Sequence, residues 1–167
     1  MFRHSAAAAD SLRTLSFHGS NSSSGYGTSS STPFRLHIYL LDPIRQQPST
    51  DILAEENVVL CAPPAGITHT FNLRQYHIVV PAGDFIVGLE PIPQGDKFYT
   101  CPDDMQLQYH PLGLVLRPPC APADARTWES IIGMNWHRLS VAEKCWPLYE
   151  SALSVEVEPA PGPPAGR

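Results

Sequence analysis

The chain has 167 residues, 43% of them hydrophobic and 16% charged, with 18 prolines and a formal net charge of -5. That length suits one domain with its own core, while abundant proline and scarce charge argue against a mainly helical protein. No basic stretch is present to track a phosphate backbone, and no uninterrupted apolar stretch approaches the roughly 20 residues that span a bilayer, so no nucleic acid and no membrane span are expected.

Residues 1–11 form an N-terminal segment without the apolar core of an export signal, because its four alanines are bracketed by His4, Ser5 and Asp10. Leu12, Leu15 and Phe17 read as an incoming strand, and the polar stretch 19–32, GSNSSSGYGTSSST, reads as a flexible Gly/Ser hairpin loop. FRLHIYLLD (34–42) alternates with period two, which puts Phe34, Leu36, Ile38 and Leu40 toward a core and Arg35, His37, Tyr39 and Leu41 on the other face. DILAEE (51–56) has room for one helical turn at most before NVVLCAP (57–63) resumes strand character.

HTFNLRQY (69–76) and HIVVP (77–81) predict two further strands, and GDFIVGLEPI (83–92) predicts the strongest one, expected at the centre of a sheet. Residues 93–125 are rich in turns with one strand expected at 112–117, and later strands are expected within 127–133, 135–140 and 151–158. PAPGPPAGR (159–167) is too rich in Pro and Gly to pack and reads as a disordered tail. Repeated short strands punctuated by Pro and Gly predict an all-β, antiparallel β-sandwich over residues 12–158, jelly-roll-like in its winding. Its core is expected to draw on Phe34, Leu36, Ile38, Leu40, Phe71, Leu73, Phe85, Val87 and Leu89.

TPFRLHIYLLD (32–42), ENVVL (56–60), LRQYHIVVP (73–81) and GDFIVGLEPI (83–92) stand in an order and spacing that resembles an uncharacterised bacterial cell-envelope family. In that family a carboxypeptidase-regulatory-like β domain, not itself a peptidase, commonly precedes the β domain that carries these segments. The resemblance covers roughly residues 12–157, is specific over 34–92, and is poor over 98–122. Pro91 stands where the family's central strand often has an aromatic, the 19–32 loop is longer, and the preceding domain and export signal are absent from this chain. The resemblance implies an envelope or secreted location, no catalytic residue set, and a place within a longer polypeptide. It also implies that the sandwich lacks its first strand, leaving residues 12–17 or 34–41 as an uncovered sheet edge open to other chains.

The chemistry-bearing residues are sparse. Seven histidines contain neither an HExxH nor a His-x-His spacing, so His37 and His69 read as solvated side chains rather than metal ligands, and no cofactor motif is present. Four cysteines contain no CxxC; Cys101 and Cys120 are a candidate disulfide, with two free thiols as the alternative, and Cys61 reads as a small buried hydrophobe. No G-x-S-x-G elbow or phosphate loop occurs. Glu90 and Glu129, the latter beside Trp128, are the residues a glycan hydrolase would use if one sheet face held both. A rim glutamate and a core tryptophan account for them without chemistry.

The expected role is therefore a non-catalytic accessory or binding module of an envelope or surface protein, with a glycan or an envelope protein as partner. Arg35, His37, Tyr39, Glu90 and Trp128 form the candidate binding face. The alternatives are a glycan-active hydrolase using Glu90 and Glu129, and an intracellular β domain with reduced thiols.

Overall fold

The structure is a computed structural model and describes residues 9–18, 32–62, 68–92, 128–130, 135–138 and 153–159. In chain order the strands are β1 (Asp10–His18), β2 (Thr32–Leu41), β3 (Pro48–Asp51), β4 (Val59–Ala62), β5 (Thr68–Asn72) and β6 (Val79–Val80). They continue as β7 (Phe85–Pro91), β8 (Trp128–Glu129), β9 (His137–Arg138) and β10 (Ser154–Pro159). Every pairing is antiparallel.

Two sheets share one plan. In the first, β1 is central, with β10 along one side and the short strands β5 and β6 on the other. In the second, β2 is central, with β7 along one side and β4 and β3 sharing the other. A separate two-stranded ladder joins β8 to β9. In β2 the period-two pattern acts as expected: Phe34, Leu36 and Ile38 are fully buried, while Arg35, His37 and Tyr39 face outward.

Strand β1 does not alternate in sequence, yet Leu12, Leu15 and Phe17 are all buried. The reason is an irregularity between Leu12 and Thr14, where the partners in β10 are the consecutive residues Val157 and Glu156. Arg13 is the extra residue of this bulge; it is exposed, and its carbonyl accepts from the Leu73 amide at 2.8 Å. One inserted residue shifts the side-chain parity, so apolar residues at odd spacing reach the same face.

The sheets meet through this face. Phe17 of β1, Phe34 of β2 and Phe71 of β5 form a three-ring cluster with centroids 5.5 to 5.6 Å apart, two pairs edge-to-face and one stacked. Such contacts add about 0.5 to 1.5 kcal/mol per pair beyond the area they bury. Leu53, Val58, Leu60, Leu73, Ile78, Val80 and Phe85 complete the buried cluster, with Phe71, Val87 and Leu89 packed against it. Of the expected core residues Leu40 is only half-buried and is not part of that cluster.

The molecule is thus an all-β sandwich of two antiparallel sheets, as its sequence predicts, although the strand order does not establish a jelly roll, which winds eight strands as two Greek keys. Strand β7, expected at the centre of a sheet, pairs with β2 alone among the described residues. Two expectations are corrected. Residues 12–17 and 34–41 are not edges, because β1 and β2 are the central strands and carry partners on both sides. The predicted strand 69–76 stops at Asn72, where its side chain accepts from the Arg74 amide at 3.1 Å and a 3-10 turn follows at Arg74–Tyr76. His77 then takes a left-handed conformation (φ 51°), and pairing resumes only at Val79. Most of the Gly/Ser loop, the strand expected at 112–117, Cys101, Cys120 and residues 160–167 lie outside the described residues.

Candidate functional site

The outer face of the second sheet carries a connected row of polar side chains. Arg35 and His37 come from β2, Glu90 from β7 and Asp51 from β3, and the register sets Arg35 directly opposite Glu90 and His37 opposite Gly88. Arg35 Nη1 donates to Glu90 Oε2 at 2.7 Å and its Nε donates to Asn57 Oδ1 at 3.1 Å. His37 lies between two acids, with Nδ1 2.7 Å from Asp51 Oδ2 and Nε2 3.0 Å from Glu90 Oε2. With a hydrogen on both nitrogens the ring donates to both carboxylates at once. His37 and Asp51 keep only 16% and 14% side-chain exposure. The solvated reading of His37 is therefore corrected: the ring ties β3 to β7 across β2.

Asp51 does more than face the imidazole. Its Oδ1 accepts from the amides of Ile38 at 3.2 Å and Leu53 at 3.0 Å, standing in for a strand partner where the β2–β3 ladder gives way to a turn. Leu53 is thereby delivered into the core. Neither Asp51 nor Asn57 is marked by any motif; one closes a short Pro-Ser-Thr-Asp strand and the other precedes β4.

Tyr39 extends this face with an aromatic surface. Its ring stacks beside His37 at 5.7 Å and meets the Trp136 indole edge-on at 5.1 Å. Partial burial, and after it the negative charges of Asp51 and Glu90, push the Tyr39 hydroxyl up to about 12. The tryptophan that reaches this face is Trp136, just ahead of β9. Trp128, expected there from sequence, sits in β8 opposite Arg138, and Glu129 stands opposite His137. No spacing rule separates the two tryptophans, so only the fold could choose between them. His69, read as solvated, is half-buried with its ring against Phe71 at 4.6 Å.

Next to Trp136 lies an open hollow of about 370 Å³ lined by Arg45, Gln47, Asn135 and Trp136. Its first two residues sit on the turn after β2, which Asp42 organises. Asp42 Oδ1 accepts from the amides of Ile44 at 2.8 Å and Arg45 at 2.9 Å, its carbonyl accepts from the Gln46 amide at 2.8 Å, and its own amide donates to the Gln47 carbonyl at 2.9 Å. The backbone hydrogen bonds from Arg45 and Ile44 hold the Asp42 carboxyl below its ordinary range. Gln46 adopts φ 53° to close the turn, which leaves Ile44 90% exposed.

In the row Asp51–His37–Glu90–Arg35 the members are hydrogen-bonded to one another. Both imidazole nitrogens are engaged, and among the described residues no serine or cysteine stands in these hydrogen bonds. Among the described residues no group of three or more His, Cys, Asp and Glu side chains is arranged to hold a metal ion. Cys61, read as a small hydrophobe, is instead disulfide-bonded. Its partner is one of Cys101, Cys120 and Cys145, the other cysteines of the chain, all outside the described residues. Among the described residues no helix is long and apolar enough to cross a membrane. Comparison with protein-family models, with curated proteins and with solved structures finds no match for this chain.

Proposed function

We propose that this chain is a non-catalytic binding module of a bacterial envelope or surface protein and that it takes a glycan at the Tyr39–Trp136 end of the second sheet. The observation that carries this reading is the hollow beside Trp136, where an indole braced by Tyr39 adjoins a guanidinium and two amides. Aromatic surface with a few convergent polar groups is the usual composition of a small-ligand site. The disulfide at Cys61 supports an oxidising location, in keeping with the envelope family that the segments over 34–92 resemble, and speaks against an intracellular domain with reduced thiols.

Glycoside hydrolysis is the weaker reading because Glu90 is already committed. Its Oε2 accepts from Arg35 Nη1 at 2.7 Å and lies 3.0 Å from His37 Nε2, so that oxygen is held within the polar row rather than presented to a glycosidic bond. A glycan array followed by a reducing-sugar assay on the full chain tests the proposal. Binding without turnover is the expected result; hydrolysis that disappears on Glu90→Gln would replace the module by an enzyme.

A further inference from the structure

We infer that the hollow lined by Arg45, Gln47, Asn135 and Trp136 selects an acidic sugar, a hexuronate residue of a polysaccharide, over a neutral one. The inference rests on the reading of the chain as a glycan-binding module and goes beyond it in naming the ligand class and the residue that sets it. The hollow measures about 370 Å³, near the lower end of the roughly 300 to 1,000 Å³ typical of small-molecule sites, and so fits one or two sugar rings rather than a broad polymer face.

Each lining residue has a distinct task. The Trp136 indole offers an apolar surface to the C–H face of a pyranose, and its edge contact with Tyr39 fixes that surface before ligand arrives. Gln47 and Asn135 carry both donors and acceptors, which is what vicinal hydroxyls require. Among the described residues of the lining, Arg45 is the charged one. A guanidinium presents a planar fork of N–H groups that matches a carboxylate in a charged two-point contact, whereas a neutral sugar offers it only uncharged oxygens, whose hydrogen bonds are roughly half as strong.

Asp42 attracts the Arg45 guanidinium across the turn, but the two form no ion pair among the described residues, so the N–H fork of Arg45 is not closed on a carboxylate there. The nearest acid in the turn, Asp42, spends one carboxylate oxygen on two backbone amides, those of Ile44 and of Arg45 itself. That oxygen caps the backbone. The other cation of the face, Arg35, is by contrast paired with Glu90 at 2.7 Å. The same turn holds the backbone of Arg45 and Gln47 in place through the Asp42–Gln47 hydrogen bond, so the two side chains start from fixed positions.

Calorimetric titration of the full chain with tetragalacturonate and with maltotetraose tests the assignment, with the glycan array run in parallel. Tetragalacturonate should bind at least about tenfold more tightly than maltotetraose, and Arg45→Gln should bring the two close together. Trp136→Ala should abolish both, and Trp136→Phe should retain part of the affinity, which shows that the loss is not one of folding. Equal affinities unchanged by Arg45→Gln would overturn the acidic preference while leaving a glycan module. An array positive for other glycans and indifferent to Trp136→Ala would overturn this site but not the module. A blank array would overturn both.

Discussion

The ring of Tyr39 occupies the space that a side chain on Gly88 would need: a Cβ added to Gly88 would stand 2.7 Å from Tyr39 Cε2 and 3.3 Å from His37 Cβ. The glycine in the middle of β7 is therefore required by a neighbouring side chain rather than by its own backbone. Gly88→Ala should destabilise by about 1 to 3 kcal/mol, as overpacking does, and the cost should shrink when Tyr39→Ala is made in the same chain. Urea unfolding of the four members of that cycle gives the answer; strictly additive effects would mean that the two residues do not meet.

Asp51 should matter more to stability than any other surface acid of the second sheet. Its two oxygens receive two backbone amides and the His37 ring, and it is largely shielded from water. Asp51→Ala should cost about 2 to 4 kcal/mol, because the Ile38 and Leu53 amides lose an acceptor that water cannot fully replace. Asp51→Asn keeps an oxygen for them and should cost less. A midpoint in urea unmoved by Asp51→Ala would contradict the anchoring role.

Alkaline titration should single out Tyr39. Its phenol ionises near 10 in an unfolded chain and at about 12 in the folded one. Between those values the unfolded state releases the proton first, so this group's contribution to stability falls as pH rises from 10 to 12 and is unchanged below 10. Solvent reaches part of the ring, so the loss is smaller than the displacement alone would give. Absorbance of the phenolate should contain a late component that Tyr39→Phe removes; a single transition near 10 for all six tyrosines would refute it.

Because Cys61 is bridged, at most two of the four cysteines are free. Thiol titration of the denatured, unreduced chain should find two or none, and reduction should lower stability by about 2 to 4 kcal/mol. Four reactive thiols in protein isolated from an oxidising compartment would argue against the bridge. Peptide mapping identifies which of Cys101, Cys120 and Cys145 is the partner.

Replacing Glu90 and Glu129 together by Gln should leave glycan affinity within a few fold, since neither is assigned contact with the sugar. The double variant should be less stable, because the ion pair of Glu90 with Arg35 is lost and the hydrogen bond to His37 is altered. A large loss of affinity at unchanged stability would move the binding site onto Glu90.

The strand β2 was legible from sequence because its apolar and polar residues alternate without interruption from Phe34 to Tyr39, and a pleated strand needs nothing more. The same alternation picked out Arg35, His37 and Tyr39 as one face. What the face does was not legible, since the acids that engage His37 come from β3 and β7 and no local pattern says which strands become neighbours. Asp51 illustrates this: it is 14 residues from His37 in the chain and in contact with it in the fold. Sheet position is illegible for a related reason: an apolar run such as Phe85–Pro91 marks a buried strand but not its neighbours, and among the described residues the strands flanked on both sides are β1 and β2.

The bulge at Arg13 makes the amino-terminal strand unequal in its tolerance of change. Deleting Arg13 leaves Leu12, Leu15 and Phe17 at alternate positions, the spacing by which a regular strand keeps them on one face, and sets Leu12 and Thr14 as neighbours opposite the consecutive Val157 and Glu156. Deleting Ser16 instead makes Leu15 and Phe17 adjacent, so that one of the two would face water. A library of single-residue deletions across residues 10–18 should therefore tolerate the loss of Arg13 far better than the loss of Ser16.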